Sequence, residues 1–179
     1  EEARGDIPLT YFEFGTLAAM LLFRQADLDV AVLEVGLGGR LDAANLFDAD
    51  GVIITSIGLD HLDWLGDDID QIGREKAGVM RPQKPAVLAQ ADMPSGLLDE
   101  AREIGADLVI RDTHYQVSES QIGWEWSNTL LRYHGLPRPS LFGSHQVDNA
   151  AAVIALLSTM QQLPVSDSAI RSGLKSAVV

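Results

Sequence analysis

The chain has 179 residues, which is enough for one domain with a substantial hydrophobic core. Its 26 acidic and 13 basic residues give a formal net charge of −13, which argues against a surface that binds nucleic acid or anionic lipid. The lack of cysteine excludes disulfides and thiolate metal sites and suits a cytoplasmic protein, and no apolar run approaches the ~20 residues that span a membrane.

The first predicted element is a helix over residues 8–25. Thr10 is placed to cap this helix, and Glu13 follows it at the spacing of a capping box. Apolar residues then recur at i, i+3, i+4, i+7 and i+8, which predicts one apolar face. That face comprises Phe14, Leu17, Ala18, Leu21 and Leu22.

A glycine-rich segment at residues 29–45 carries the strongest signal in the sequence. The apolar run at residues 30–33 is typical of a parallel strand buried on both faces, and Glu34 and a loop with three glycines follow it. Because ligands bind beyond the carboxyl ends of strands in open α/β sheets, Glu34 would face a cation or a polar substrate there. The alternative is a carboxylate that accepts hydrogen bonds from loop amides. The loop does not match a dinucleotide-binding fingerprint, since Leu41 occupies the position of the last glycine.

A second buried strand is predicted at residues 51–57, and polar residues follow it up to His61. If the two strands lie parallel in one sheet, they deliver Glu34 and His61 to the same edge, where α/β enzymes build their sites. The alternative for His61 is a hydrogen-bonded structural residue.

A short helix is predicted at residues 67–77. Asp67 or Asp68 is placed to cap it, and Gly78 to end it. Its last turn carries Lys76. Spacing alone favours a solvated charged turn in which the cation meets the negative end of the helix dipole.

The remainder of the middle region alternates strands with a helix. Strands are predicted at residues 84–89 and 107–110, on either side of a helix at residues 94–105. This alternation predicts an α/β fold, with a mostly parallel sheet flanked by helices. Residues 115–133 alternate polar and apolar side chains instead, which predicts a small antiparallel hairpin or meander.

Two helices are predicted near the end of the chain. The first covers residues 147–160 and carries Asn149 in its first turn, where the amide either caps the helix or meets a ligand. The second covers residues 166–172 and is expected to end at Gly173. The chain has no Gly-x-x-x-x-Gly-Lys-[Ser/Thr] phosphate loop, so it is not expected to bind an ATP triphosphate unaided.

The motif Glu-Val-Gly-Leu-Gly-Gly-Arg-Leu-Asp-Ala-Ala-Asn at residues 34–45 resembles the signature of the folylpolyglutamate synthase/dihydrofolate synthase family, a branch of the Mur-ligase superfamily. Further segments that are similar to this family lie at residues 9–14, 56–61, 75–78 and 146–151. The similarity is greatest to the bacterial bifunctional enzymes. It implies the central ATPase domain of a Mur-ligase-like enzyme, with the antiparallel β structure as an insertion.

The resemblance implies an ATP-dependent amide ligase that adds L-glutamate to dihydropteroate and folate through an acyl phosphate. By resemblance, Glu34 and His61 bind Mg²⁺, a carbamylated Lys76 is the catalytic residue, and Asn149 contacts ATP. The pteroate pocket implied by the resemblance comprises Thr10, Tyr11, Phe12, Glu13, Leu41, Asp42 and Ala43.

The sequence departs from the family in two ways. The family's phosphate-binding loop lies upstream of residue 1, and its glutamate-binding C-terminal domain lies beyond Val179. We therefore expect residues 1–179 to be a fragment of the central ATPase domain, inactive alone, from a monomeric parent enzyme. The second departure is Ala44, which stands where the family usually has threonine and removes a hydroxyl from the substrate loop.

Two alternatives to a folate-branch ligase remain open at the level of the sequence. The first is another Mur-type ligase. The second is a non-catalytic module that keeps the pteroate pocket without ATP turnover.

Overall fold

The computed structural model describes residues 4–58 and 68–177 of the chain. The predicted metal ligand His61 and the alternative helix cap Asp67 lie outside these residues. The helices are α1 (Tyr11–Gln25), α2 (Ile69–Ala77), α3 (Ser95–Ile104), α4 (Gln146–Thr159) and α5 (Asp167–Ser176), with a 3₁₀ helix at Ala43–Leu46. The strands are β1 (Val52–Ile54), β2 (Pro85–Leu88), β3 (Asp107–Ile110), β4 (Tyr115–Ser120), β5 (Gly123–Asn128) and β6 (Arg132–Leu136).

The strands form two separate sheets. β1, β2 and β3 lie side by side in that order and are all parallel, so that Val87 stands opposite Ile53 on one side and Val109 on the other. β4, β5 and β6 form an antiparallel meander. The predicted fold class, a mostly parallel sheet flanked by helices with a small antiparallel insertion, is confirmed.

The predicted capping box at the start of α1 is confirmed. Thr10 is the N-cap, its hydroxyl oxygen accepts from the Glu13 N–H, and the Glu13 carboxylate accepts from the Thr10 N–H at 2.7 Å. This backbone hydrogen bond, and a second one from the Thr10 hydroxyl, hold the pKa of Glu13 below its ordinary value. The sequence predicted that the helix starts at residue 8. Because Thr10 is the N-cap, the helix begins at Tyr11 instead.

The strand predicted at residues 30–33 is wrong. These residues form no strand, and Val32 is 87% exposed. A strand buried on both faces needs neighbours for its backbone, and within the described residues no strand pairs with this run. The adjoining helix α1 likewise buries none of its residues, and its apolar Leu21 and Leu22 are both mostly exposed.

Helices α2 and α3 pack closely on one side of the parallel sheet. Gly96 lies so near α2 that an added Cβ would stand 2.2 Å from the carbonyl oxygen of Asp70. The Asp70 carboxylate accepts from the Gly96 N–H at 2.8 Å and from the Ser95 hydroxyl at 2.9 Å, and these bonds lower its pKa. Asp70 therefore caps α3 from the neighbouring helix, where Pro94 offers no side-chain cap.

Helix α4 lies between the parallel sheet and the meander. Trp126 on β5 is fully buried, and its indole N–H donates to the carbonyl of Ala151 on α4 at 3.1 Å. Tyr115 on β4 is also buried and donates its hydroxyl to the Leu88 carbonyl of β2 at 3.1 Å. These bonds satisfy polar atoms of large buried aromatic residues and fix the meander to both neighbours.

The predicted end of the last helix at Gly173 is wrong, since α5 continues to Ser176. Leu174 is buried in the core that α4 and the meander share, and packing of this side chain outweighs the ~1 kcal/mol that a glycine costs within a helix. Among the helices of the described residues, none is long and apolar enough to cross a lipid bilayer.

Candidate active site

The glycine-rich loop docks on the last turn of α2. Gly39 is buried there, and an added Cβ would stand 2.8 Å from the Glu75 carbonyl oxygen and 3.2 Å from the Lys76 Cα. The next residue, Arg40, donates its backbone N–H to the same Glu75 carbonyl at 3.0 Å. Two segments that lie far apart in the sequence, the glycine motif and the Lys76 turn, therefore meet in the structure.

Asn45 joins this loop to the turn after α2 through hydrogen bonds of its side chain. Its amide nitrogen donates to the carbonyl of Arg40 at 2.9 Å and to the carbonyl of Gly78 at 3.0 Å. Its side-chain oxygen accepts from the Arg81 guanidinium at 2.9 Å. Sequence reasoning did not assign a role to Asn45 or Arg81, and the only available signal was the place of Asn45 as the last residue of the motif.

Ion pairs add to the same contact. The Arg40 guanidinium bonds the Glu100 carboxylate of α3 at 2.6 Å and lies 3.8 Å from the Glu75 carboxylate. The hydrogen bond to Glu100 raises the pKa of Arg40 above its ordinary value. Because the pairs are partly exposed, we expect them to orient the loop more than to stabilise the fold.

Asp42 holds the loop in its turn. One carboxylate oxygen accepts from the N–H groups of Gly36 at 3.0 Å and Leu37 at 3.3 Å. The other accepts from the Ala44 N–H at 2.8 Å and so caps the 3₁₀ helix. The carboxylate of Asp42 therefore shapes the loop, and Asp42 is also one of the residues that line the cleft beside it.

A cleft of ≈ 350 Å³ lies between α1 and the glycine-rich loop. Its lining residues are Glu13, Thr16, Leu17, Arg40, Leu41, Asp42, Ala43, Asn45 and Leu46. Four residues predicted for substrate binding are thus brought together: Glu13, Leu41, Asp42 and Ala43.

The other three residues predicted for this pocket do not line the cleft. Thr10 is engaged with Glu13 in the capping box, and Tyr11 is 94% exposed. The ring of Phe12 lies instead against the turn at Gly36, where an added Cβ would stand 3.5 Å from it. Ala44 is buried beneath the loop and also lies off the cleft.

A second cleft, of ≈ 180 Å³, lies at the carboxyl edge of the parallel sheet. Its lining residues are Thr55, Ser56, Gln90, His145, Asp148 and Asn149. The first two follow β1, Gln90 follows β2, and the last three belong to the start of α4. This is the edge at which open α/β sheets bind ligands.

Asn149 does not cap α4. The N-cap position belongs to His145, and the Asn149 amide donates to the side-chain oxygen of Gln146 at 3.4 Å. Asn149 lines this second cleft, and its contact with ATP stays a prediction.

The predicted metal ligands are not brought together in the described part of the chain. Glu34 is exposed and, among residues 4–58 and 68–177, its carboxylate makes no hydrogen bond or ion pair, while His61 lies outside these ranges. In the same ranges no three His, Asp or Glu side chains are grouped as metal ligands. A free carboxylate beside the loop fits a hard cation such as Mg²⁺, so the site at Glu34 and His61 stays a prediction.

Lys76 is half-buried in the last turn of α2. Within the described residues its amine makes no hydrogen bond or ion pair, whereas Arg74 of the same turn pairs with Asp99. The prediction that Lys76 is carbamylated stays a prediction.

Comparison with known proteins identifies the family of the chain. The Mur ligase middle domain matches residues 9–157 of the chain. The dihydrofolate synthase/folylpolyglutamate synthase of Escherichia coli (strain K12) is 50% identical over 179 residues, and the chain spans 41% of the length of that relative.

Two solved structures show the same fold. The structure of E. coli FolC in complex with DHPP and ADP has a TM-score of 0.92 and 49% identity, and covers 99% of this chain and 42% of its own. A bifunctional folylpolyglutamate synthase/dihydrofolate synthase with Mn, AMPPNP and L-glutamate bound has a TM-score of 0.89 and 53% identity over 99% of this chain and 42% of its own. The predicted resemblance to this branch is confirmed, and the chain belongs to the Mur ligase family through its middle domain.

Proposed function

We propose that this chain is part of an ATP-dependent ligase that adds L-glutamate to dihydropteroate and folate through an acyl phosphate. The observation that carries the proposal is the docking of the glycine-rich loop on the Lys76 turn, beside a cleft that the loop itself lines. The names of the relatives favour this folate branch over another Mur-type ligase.

The cleft beside α1 suits a pterin-linked carboxylate. Leu17, Leu41 and Leu46 offer apolar walls for a flat ring, and Glu13 and Arg40 offer a hydrogen-bond acceptor and a cation. We assign Thr10, Tyr11 and Phe12 to the same binding region, in which Thr10 fixes Glu13 through the capping box.

The second cleft suits the nucleotide. Its amide, hydroxyl and imidazole groups are hydrogen-bonding partners of the kind that an adenosine moiety requires, and Asn149 is the residue assigned to this contact. A bound Mg²⁺, with Glu34 and His61 as its ligands, would neutralise phosphate oxygens during phosphoryl transfer. A carbamate on Lys76 would add oxygen ligands of the kind that Mg²⁺ prefers.

We propose further that residues 1–179 are a fragment of the central ATPase domain of a monomeric cytoplasmic enzyme. Support comes from the span of the chain, which is 41% of the E. coli relative, and from the lack of cysteine. We expect the purified 179-residue chain to release no glutamate-dependent ADP, since no phosphate loop is present in it. Glutamate-dependent ADP release above that of a mock purification would contradict the fragment proposal.

The Asn149→Ala variant tests the assignment of the nucleotide cleft. In the natural protein that carries this sequence, we expect the KM for ATP to rise about tenfold, because one adenine contact of about 1.4 kcal/mol is lost. The melting temperature should stay unchanged, because His145 and not Asn149 occupies the N-cap of α4.

Asn128→Ala is the matched control for this variant. The Asn128 side chain accepts from the N–H groups of Leu130 and Leu131, at 2.9 and 2.7 Å, and closes the turn after β5. Its loss should lower the melting temperature and leave the KM for ATP unchanged. A fall in melting temperature with an unchanged KM in Asn149→Ala would instead give Asn149 a purely structural role.

A further inference from the structure

An ion pair joins the first turn of α4 to the end of the parallel sheet. The Arg111 guanidinium donates through Nη1 to Oδ1 of Asp148. Arg111 directly follows β3, and its backbone N–H donates to the Leu88 carbonyl of β2 at 3.1 Å. The cation is thus anchored by its own backbone to the sheet, and its side chain is only 23% exposed.

Two other ionisable residues, Asp112 and Tyr115, lie near the pair of Arg111 and Asp148. Among the described residues, Asp112 is the other carboxylate paired with Arg111, and its Oδ2 lies 3.8 Å from the Arg111 Nε. Burial raises the pKa of Tyr115, which packs beside them, to about 12. A phenol is neutral at pH 7 even at its ordinary pKa, so Tyr115 adds no charge to the pair. Asp148 therefore pairs with a partly buried cation. An aspartate in the first turn of a helix is already stabilised by the helix dipole, so the arginine is an additional feature of this site.

Asp148 also lies in the cleft that we assign to the nucleotide. It directly precedes Asn149 on α4, and both residues line the cleft opposite Thr55, Ser56 and Gln90. An unpaired carboxylate in a cleft of this size would repel an anionic phosphate group. Pairing with Arg111 neutralises that charge and ties the first turn of α4 to the residue that directly follows β3.

We propose that Arg111 and Asp148 form a positioning pair, which holds the first turn of α4 so that Asn149 faces Thr55, Ser56 and Gln90 in the geometry that binds the nucleotide. The inference rests on the proposed function of this cleft. It adds two residues whose proposed role is to hold Asn149 in position.

The test is a double-mutant cycle in the natural protein, read out by the Kd for ADP and by the melting temperature. We expect Arg111→Met and Asp148→Asn each to raise the Kd about tenfold, because a small displacement of a contact group has effects of this size or larger. We expect the double variant to raise the Kd by about the same tenfold, because two residues that act as one unit are not additive.

Asp167→Asn is the matched control. Asp167 also lies in the first turn of a helix and is also paired with an arginine, Arg171, but it stands on α5 and does not line the cleft. Its loss should leave the Kd for ADP within twofold of the parental value. A comparable fall in melting temperature in Asp148→Asn and Asp167→Asn, with only the former raising the Kd, separates positioning from general stabilisation.

Three results would overturn the inference. The first is a Kd within twofold of parental in either single variant, and the second is a double variant whose effect is the product of the two single effects. The third is tighter ADP binding by Asp148→Asn, which would mean that the carboxylate acts through its own charge. A parental protein that does not bind ADP would instead end the proposed function, and this inference with it.

Discussion

The Lys76→Arg variant of the natural protein is expected to lose most of its ligase rate while remaining folded. If Lys76 works as a carbamate, it acts as an anion, and arginine replaces that anion by a permanent cation. If the turn is merely solvated, arginine keeps the charge and the helix propensity, and stability should change by no more than about 0.5 kcal/mol with normal activity. The ligase rate of the folded variant therefore decides between the two.

Two further variants sharpen this result. Lys84→Arg changes a lysine that is paired with Asp50 at the surface, and it should keep parental activity. Lys76→Ala should be inactive but partly rescued by added acetate, which supplies the missing carboxylate oxygens. Near-parental activity of Lys76→Arg would end the carbamate hypothesis.

Features that depend on neighbouring residues could be predicted from the sequence. The caps at Thr10 and Asp68 and the helix end at Gly105 each follow from side chains or backbone freedom within one turn. The alternation of strands and helices similarly identified the parallel sheet. Such features are local, and at these three positions packing elsewhere in the fold does not override them.

Features that depend on distant partners could not be predicted. The run at residues 30–33 has the composition of a buried strand, but composition does not supply the neighbouring strand that it needs. The same limit applies to Gly173, where a buried Leu174 carries the helix past its expected end. At Gly173, packing of Leu174 outweighs local propensity. At residues 30–33, no neighbouring strand is present among the described residues.

The sequence predicted residues of the candidate site, but it did not predict the long-range hydrogen bonds that hold the site together. The resemblance already grouped Glu13 with Leu41, Asp42 and Ala43 in one pocket, and the structure shows a cleft that these four residues line. The hydrogen bonds that Arg81 donates to Asn45 and that Arg111 donates to Asp148 join residues more than 30 positions apart, and no spacing rule links them. Positioning residues of this kind become visible only when the chain is folded.

The Gly39→Ala variant is expected to lower both the stability and the ligase rate. It tests whether contact between the loop and the Lys76 turn is essential. The backbone of Gly39 is not left-handed, so alanine introduces only a methyl group. That group would stand 2.8 Å from the Glu75 carbonyl oxygen and 3.2 Å from the Lys76 Cα, both of which are backbone atoms that cannot rotate away. The loop must therefore withdraw from α2 and weaken the hydrogen bond from Arg40 to Glu75.

We expect Gly39→Ala to lower the free energy of unfolding by about 1–3 kcal/mol, as overpacking does, and to lower the ligase rate about 100-fold because the loop shifts relative to Lys76. Gly173→Ala is the matched control, because an added Cβ there has open space within 4 Å and lies inside helix α5. That variant should gain up to about 1 kcal/mol of stability from helix propensity and keep the parental rate. Denaturant unfolding and ligase assays of both variants measure the two quantities separately. If Gly39→Ala matched Gly173→Ala in both, the loop would have room to move, and the close contact with the Lys76 turn could not be a requirement of catalysis.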